Sequence, residues 1–171
     1  MVCHTGGALG SDNLFENLCI EQGIEVRAYS YKTPYHKSPN KVEVSDIDFL
    51  EGVERVKIAN KTLKRRGYQK YINLLARNWS QVKYSDTIIA VSVINNNMVN
   101  GGTSWAIQMG IDCGRPVFVF DQNLSTWFRW SYISQNFVRC DKPIITENFA
   151  GIGTRKLNTN GIEAINSIFY Q

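Results

Sequence analysis

The run Thr87–Val93 (TIIAVSV) limits the possible folds more than any other stretch of the chain. It is almost wholly apolar and rich in β-branched residues, without the apolar–polar alternation of a strand that has one wet face. Such a strand belongs in the middle of a parallel sheet, where both faces are covered. It falls far short of the roughly 20 apolar residues that a membrane-spanning helix needs. The cover on its two faces must come from helices.

Strand-like and helix-like segments do alternate from end to end. Met1–His4 is a short apolar start. Asp12–Gln22 places Leu14, Phe15, Leu18 and Cys19 at helical spacing, with Gly23 as a C-terminal stop. Ile24–Tyr29 reads as a second strand, completing a unit of βαβ size. Ser30–Ser45 is polar, carries Pro34 and Pro39, and reads as a long loop. Helices are predicted over Asp46–Lys64 and Tyr68–Lys83, separated by Gly67. Asn95-Asn96-Asn97 marks a loop, Gly101-Gly102-Thr103 opens a helix that ends near Gly114, and Pro116–Phe120 is a fourth strand. Beyond an aromatic-rich stretch, Pro143–Thr146 reads as a short strand, and Asn158 caps a last helix carrying Ile162, Ile165, Ile168 and Phe169. No repeat or break in composition divides the chain. The expectation is one α/β domain over residues 1–171, Rossmann-like, with a mainly parallel sheet and helices on both faces. Ligands of such sheets bind at the carboxyl ends of the strands.

Two glycine turns are expected at that edge. In His4-Thr5-Gly6-Gly7-Ala8-Leu9-Gly10-Ser11-Asp12, glycines let the backbone approach a ligand, and the helix after them offers unpaired N–H groups to a phosphate. The alternative is a tight turn with Ser11 or Asp12 as helix cap. The pattern is not the dinucleotide G-x-G-x-x-G. The second strand also ends in Ala28-Tyr29-Ser30-Tyr31-Lys32, without an acidic residue to hold a ribose, which argues against hydride transfer on NAD. Asn100-Gly101-Gly102-Thr103-Ser104-Trp105 repeats the logic after the central strand. Two such turns at one edge point to a phosphate-bearing ligand.

Composition excludes several other classes. The chain is 43% hydrophobic and 20% charged, values of an ordinary globular protein. A formal charge of +4, scattered along the sequence, argues against a nucleic-acid partner, which selects for concentrated Lys and Arg. The densest basic run, Lys61, Lys64, Arg65 and Arg66, reads as a solvated helix end. Cys3, Cys19, Cys113 and Cys140 are too far apart for a zinc knuckle or a C-x-x-C pair. They read as packed, reduced thiols of a cytoplasmic protein without a membrane span or secretory segment. No metal and no resident cofactor is expected.

The first turn, the pair Arg77-Asn78 ahead of a strand, the Gly101-Gly102-Thr103 turn, the Val117–Asp121 strand and the segment Gly151-Ile152-Gly153-Thr154-Arg155 together resemble the SLOG superfamily. These Rossmann-like domains include the LOG phosphoribohydrolases and the DprA and YpsA groups. The likeness is greatest to stand-alone YpsA-like proteins, often found in phage genomes. It covers nearly the whole chain and implies a nucleotide-derived ligand and a homo-oligomer. The aromatic-rich stretch Trp127–Tyr132 is the candidate dimer surface.

LOG enzymes cleave a nucleotide's N-glycosidic bond with a P-G-G-x-G-T-x-x-E motif and an upstream Arg. Arg77 is the candidate for the Arg, whose donor fork suits phosphate. Placing Gly101-Gly102 on the motif puts Gln108 where the Glu would stand, and no Glu lies between Glu54 and Glu147. An amide cannot serve as the base. If the protein is an enzyme, Asp12, Glu16 or Asp121 must supply the carboxylate. The expected ligand-binding residues are His4, Thr5, Gly6, Gly7, Ala8, Gly10, Ser11, Asp12, Tyr31, Lys32, Arg77, Asn78, Gly101, Gly102, Thr103, Trp105, Gln108 and Asp121. Tyr35, Trp127, Trp130 and Arg155 are weaker candidates. The first expectation is a binder that sequesters or senses a nucleotide-type molecule. The alternative is a LOG-like N-glycosidase.

Overall fold

A computed structural model describes residues Met1–Tyr170. Six parallel strands form the body of one sheet: β1 (Val2–Thr5), β2 (Glu25–Ser30), β3 (Lys41–Glu43), β4 (Thr87–Ser92), β7 (Val117–Asp121) and β10 (Asn148–Gly153). Two antiparallel strands, β8 (Thr126–Ser131) and β9 (Asn136–Arg139), extend one edge, giving the order β3-β2-β1-β10-β4-β7-β8-β9. A small hairpin of β5 (Ile94–Asn95) and β6 (Met98–Val99) stands apart.

Every residue of β4 is buried. Ile88 and Ala90 join the core formed with α2 (Asp46–Leu63), α3 (Ile72–Lys83) and α4 (Thr103–Asp112). Ile89 and Val91 face the opposite core, with α1 (Ser11–Glu21) and α5 (Thr159–Phe169). The strand has no wet face, which is why it has no polar alternation. The α/β, Rossmann-like architecture with helices on both faces is therefore as read from the sequence. Asn158 caps α5 by accepting from Gly161 N, and Gly23 ends the first helix at φ 69°. The four cysteines are free thiols. Among the described residues no helix is long and apolar enough to cross a membrane.

Three expectations are corrected. The strand assigned to Pro143–Thr146 lies instead at Asn148–Gly153, between β1 and β4. Its two glycines weaken the strand signal there, because glycine is a poor strand former. Gly151 is needed there: a Cβ would meet the Phe15 ring at 2.6 Å. The Ser30–Ser45 loop also contains β3. Of the Trp127–Tyr132 stretch, all but Tyr132 lies in β8, and its tryptophans are used within the chain. Trp127 packs on Phe120 at 5.2 Å and Trp130 on Phe137 at 5.1 Å.

Candidate functional site

The first turn lies between β1 and α1 and is largely satisfied from within. Gly6 N and Ala8 N donate to Asp12 Oδ2 at 3.0 and 3.4 Å, and Gly153 N, from the end of β10, donates to Asp12 Oδ1 at 3.1 Å. Gly7 N donates to Thr5 Oγ1 at 2.8 Å. Asp12 thus puts a carboxylate of its own where this turn's N–H groups would hold an anion. Neither Ser11 nor Asp12 caps α1, whose N-cap is Gly10. Ser11 donates instead to Thr154 O at 2.9 Å. Burial pushes the Asp12 carboxyl up to about 6, against the pull of Arg77 and the backbone N–H groups.

Arg77 and Gln81, one helical turn apart on α3, lie so close over Gly6 that a Cβ there would overlap both. The Gln81 amide oxygen accepts from Gly6 N at 2.9 Å and from the Arg77 guanidinium. Arg77 is 9% exposed and has no carboxylate within 4.0 Å among the described residues. Burial pulls its guanidinium down, Asp12 pushes it up and Arg155 lowers it further, yet arginine keeps its charge in proteins. A buried cation without an ion partner carries a desolvation cost that a bound anion would offset.

The second turn is built differently. Arg65 fixes it by donating to Gly101 O at 2.8 Å, and Ser104 Oγ donates to the same oxygen at 2.6 Å. Among the described residues, the N–H groups of Gly101, Gly102 and Thr103 donate to no protein acceptor. A Cβ on Gly101 or Gly102 would meet nothing within 4 Å. This turn opens α4 toward free space, so the positive end of that helix is unoccupied by protein.

Both turns border one cleft of about 870 Å3 at the carboxyl edge of the sheet. Ala8, Asp12, Arg77, Asn78, Gly101, Gly102, Thr103 and Trp105 line it. Among the described residues it carries six cations, Arg65, Arg66, Lys70, Arg77, Arg155 and Lys156, against the single carboxylate of Asp12. Tyr68, Tyr71, Leu74 and Trp105 supply an apolar wall, within which Tyr68 packs on Trp105 at 5.5 Å. The cleft can therefore hold an anion and cover a flat apolar group beside it.

No family description matches the chain, and no curated protein does. One solved structure shares its fold. This is the crystal structure of a "putative molybdenum carrier protein" from Syntrophus aciditrophicus SB, with a TM-score of 0.53 over 99% of this chain and 94% of that one, at 12% identity. A likeness at that identity speaks to the architecture alone.

Several expected site residues lie elsewhere. His4 is a core residue: its Nδ1 meets the Tyr29 hydroxyl at 2.9 Å and its ring stacks with Tyr29. Thr5 holds Glu16, which also accepts from Ser38 and Asn40, so Glu16 clamps the long loop onto the first turn. Gly6 and Gly7 are covered by Arg77 and His36, and Gly10 by Thr154 and Arg155. Tyr31 donates to Asp46 and stacks on Phe49, with Lys32 over its ring. Asp121 accepts from Ile94, Asn123 and Leu124 backbone N–H groups and shapes the loops there. Gln108 donates to Asp112 and borders a separate hollow near Trp130. On α4 the residues that line the cleft are Thr103, Trp105 and Ala106. The sequence reading missed Arg65, Arg66, Lys70, Tyr71 and Lys156. Arg65 and Arg66 border the cleft because Gly67, at φ 68°, turns the chain between the two helices. The isolated Gly after a basic pair was the available signal.

Proposed function

We propose that the cleft binds a phosphate-bearing, nucleotide-derived small molecule, and that the protein acts by holding it rather than converting it. The observation that carries this reading is Arg77, a buried guanidinium with no carboxylate within 4.0 Å among the described residues, on the same cleft as the open second turn. The cations and free N–H groups suit a phosphate, and the Tyr71 and Leu74 wall suits a base. The resemblance to the SLOG superfamily, in its stand-alone YpsA-like form, supports the same ligand class and a homo-oligomer. The name of the structural neighbour is compatible with this chemistry, because a metal oxyanion would meet the same donors. Mass spectrometry of small molecules released by heat from the purified protein is the test. A phosphorylated nucleoside derivative is the expected species. A protein that yields none, and binds no added nucleotide, would overturn the reading.

A hydrolytic reading survives at one position. Of the three carboxylates that an N-glycosidase could use, only Asp12 lines the cleft, and its carboxyl is raised to about 6, the range of a general acid or base. Its oxygens are already engaged by three backbone N–H groups, which favours a structural use. Release of free base from a nucleoside monophosphate, abolished in Asp12→Asn, would establish the enzyme instead.

A further inference from the structure

The cations of the cleft come from two places. Arg77 covers Gly6 and the Arg155 backbone covers Gly10, so both stand at the first turn, and both line the cleft. Arg66 and Lys70 stand on the junction between α2 and α3, which Arg65 ties to the second turn through Gly101 O at 2.8 Å. Gly102 and Thr103, whose N–H groups have no protein acceptor among the described residues, line the cleft on that side. The first turn follows β1 and the second follows β4, with β10 between them, so the two groups stand two strand spacings, roughly 10 Å, apart. The apolar wall of Tyr71 and Leu74 also borders the cleft.

None of Arg66, Lys70, Arg77, Arg155 and Lys156 has a carboxylate within 4.0 Å among the described residues, whereas Arg27, Lys57 and Lys83 each do. A single phosphate brings a charge of about −1.5 to −2 and can sit in only one of the two groups. Resting on the nucleotide-cleft reading, we infer that the ligand is a nucleoside carrying two separated anionic groups. One group sits against Arg77 and Arg155, and the other on the second turn beside Arg66 and Lys70. A nucleoside 3′,5′-bisphosphate has this form; a 5′-diphosphate, with both charges at one end, does not.

Calorimetry at fixed ionic strength with adenosine 5′-monophosphate, 5′-diphosphate and 3′,5′-bisphosphate tests this. The bisphosphate is expected to bind at least about tenfold tighter than either of the others, the factor that 1.4 kcal/mol supplies. In the double variant Arg66→Ala/Lys70→Ala its advantage over the monophosphate should shrink to within about twofold. Equal binding of diphosphate and bisphosphate, or an advantage untouched by the double variant, would overturn the two-seat arrangement and leave the cleft reading standing. Failure of all three compounds to bind the wild-type protein would remove both.

Discussion

The two glycine turns read alike in the sequence and are used in opposite ways. Gly6-Gly7-Ala8 spends its N–H groups on Asp12 and Thr5 and lies beneath Arg77, Gln81 and His36. Gly101-Gly102-Thr103 keeps its N–H groups free and has empty space in front of it. The difference lies in the residues just downstream of the glycines. Asp12 reaches back to fill the first turn, whereas Ser104 at the second reaches only to Gly101 O. A glycine turn at a strand end is thus open to a ligand only when the protein does not supply its own anion.

The largest expected effect is on stability. Gly10→Ala would place a Cβ 2.6 Å from Thr154 O, at a φ of 85° that L side chains avoid. The cost should be about 3 kcal/mol, from backbone strain and overpacking together. Gly102→Ala, at φ −67° with nothing near it, should change stability by less than about 0.5 kcal/mol. Urea unfolding of the two variants compares the turns directly. Equal losses would show that the second turn is as closed as the first.

A pH effect of intermediate size should follow from Asp12. Below its value of about 6 the carboxyl is neutral, and the cleft loses its one negative charge. Affinity for sulfate, which stays fully ionised, should therefore rise as pH falls from 7 to 5, by about tenfold. His36, held below its ordinary value by burial and by Arg77, acts in the same direction when it protonates. Asp12→Asn separates the two, because only the His36 part should survive. A pH profile that is the same in both proteins would mean that Asp12 does not face the ligand.

The smallest effect concerns association. With Trp127 and Trp130 packed inside the chain, the exposed apolar groups of that region are Tyr132 and Ile133 at the β8–β9 turn. Ile133→Asp should leave folding unchanged within about 0.5 kcal/mol. Light scattering of the wild type and this variant then tells whether the region carries a homo-oligomer: a dimer that persists in the variant is held elsewhere.

Periodicity and turn chemistry made most elements legible. The apolar run of β4, the spacing in α1 and the cap at Asn158 each report a local preference that the tertiary structure keeps. The central strand β10 was hidden because Gly151 answers to Phe15, a residue near the other end of the chain, rather than to strand propensity. The edge pair β8–β9 was hidden because its aromatics suit an interface and a strand equally. At the site, the second turn could be found by type and spacing, and Arg77 and Asn78 through the family resemblance. The roles of Glu16 and Asp121 could not, since a carboxylate that braces a loop and one that meets a ligand look the same until their partners are known. Gln108 was misplaced by one helical face, an error that a motif alignment without a structure cannot detect.

In the proposed binder Arg77 serves an anion and not the fold. Calorimetric titration of adenosine 5′-monophosphate into the wild type and Arg77→Met, beside thermal unfolding of both, tests it most directly. Methionine fills similar space without a buried charge, so the variant should unfold at the same temperature or higher. Its affinity should fall by about 1.5–3 kcal/mol, the worth of hydrogen bonds to a charged group. A variant that binds as tightly as the wild type, or one that unfolds several degrees earlier, would show that Arg77 serves the structure.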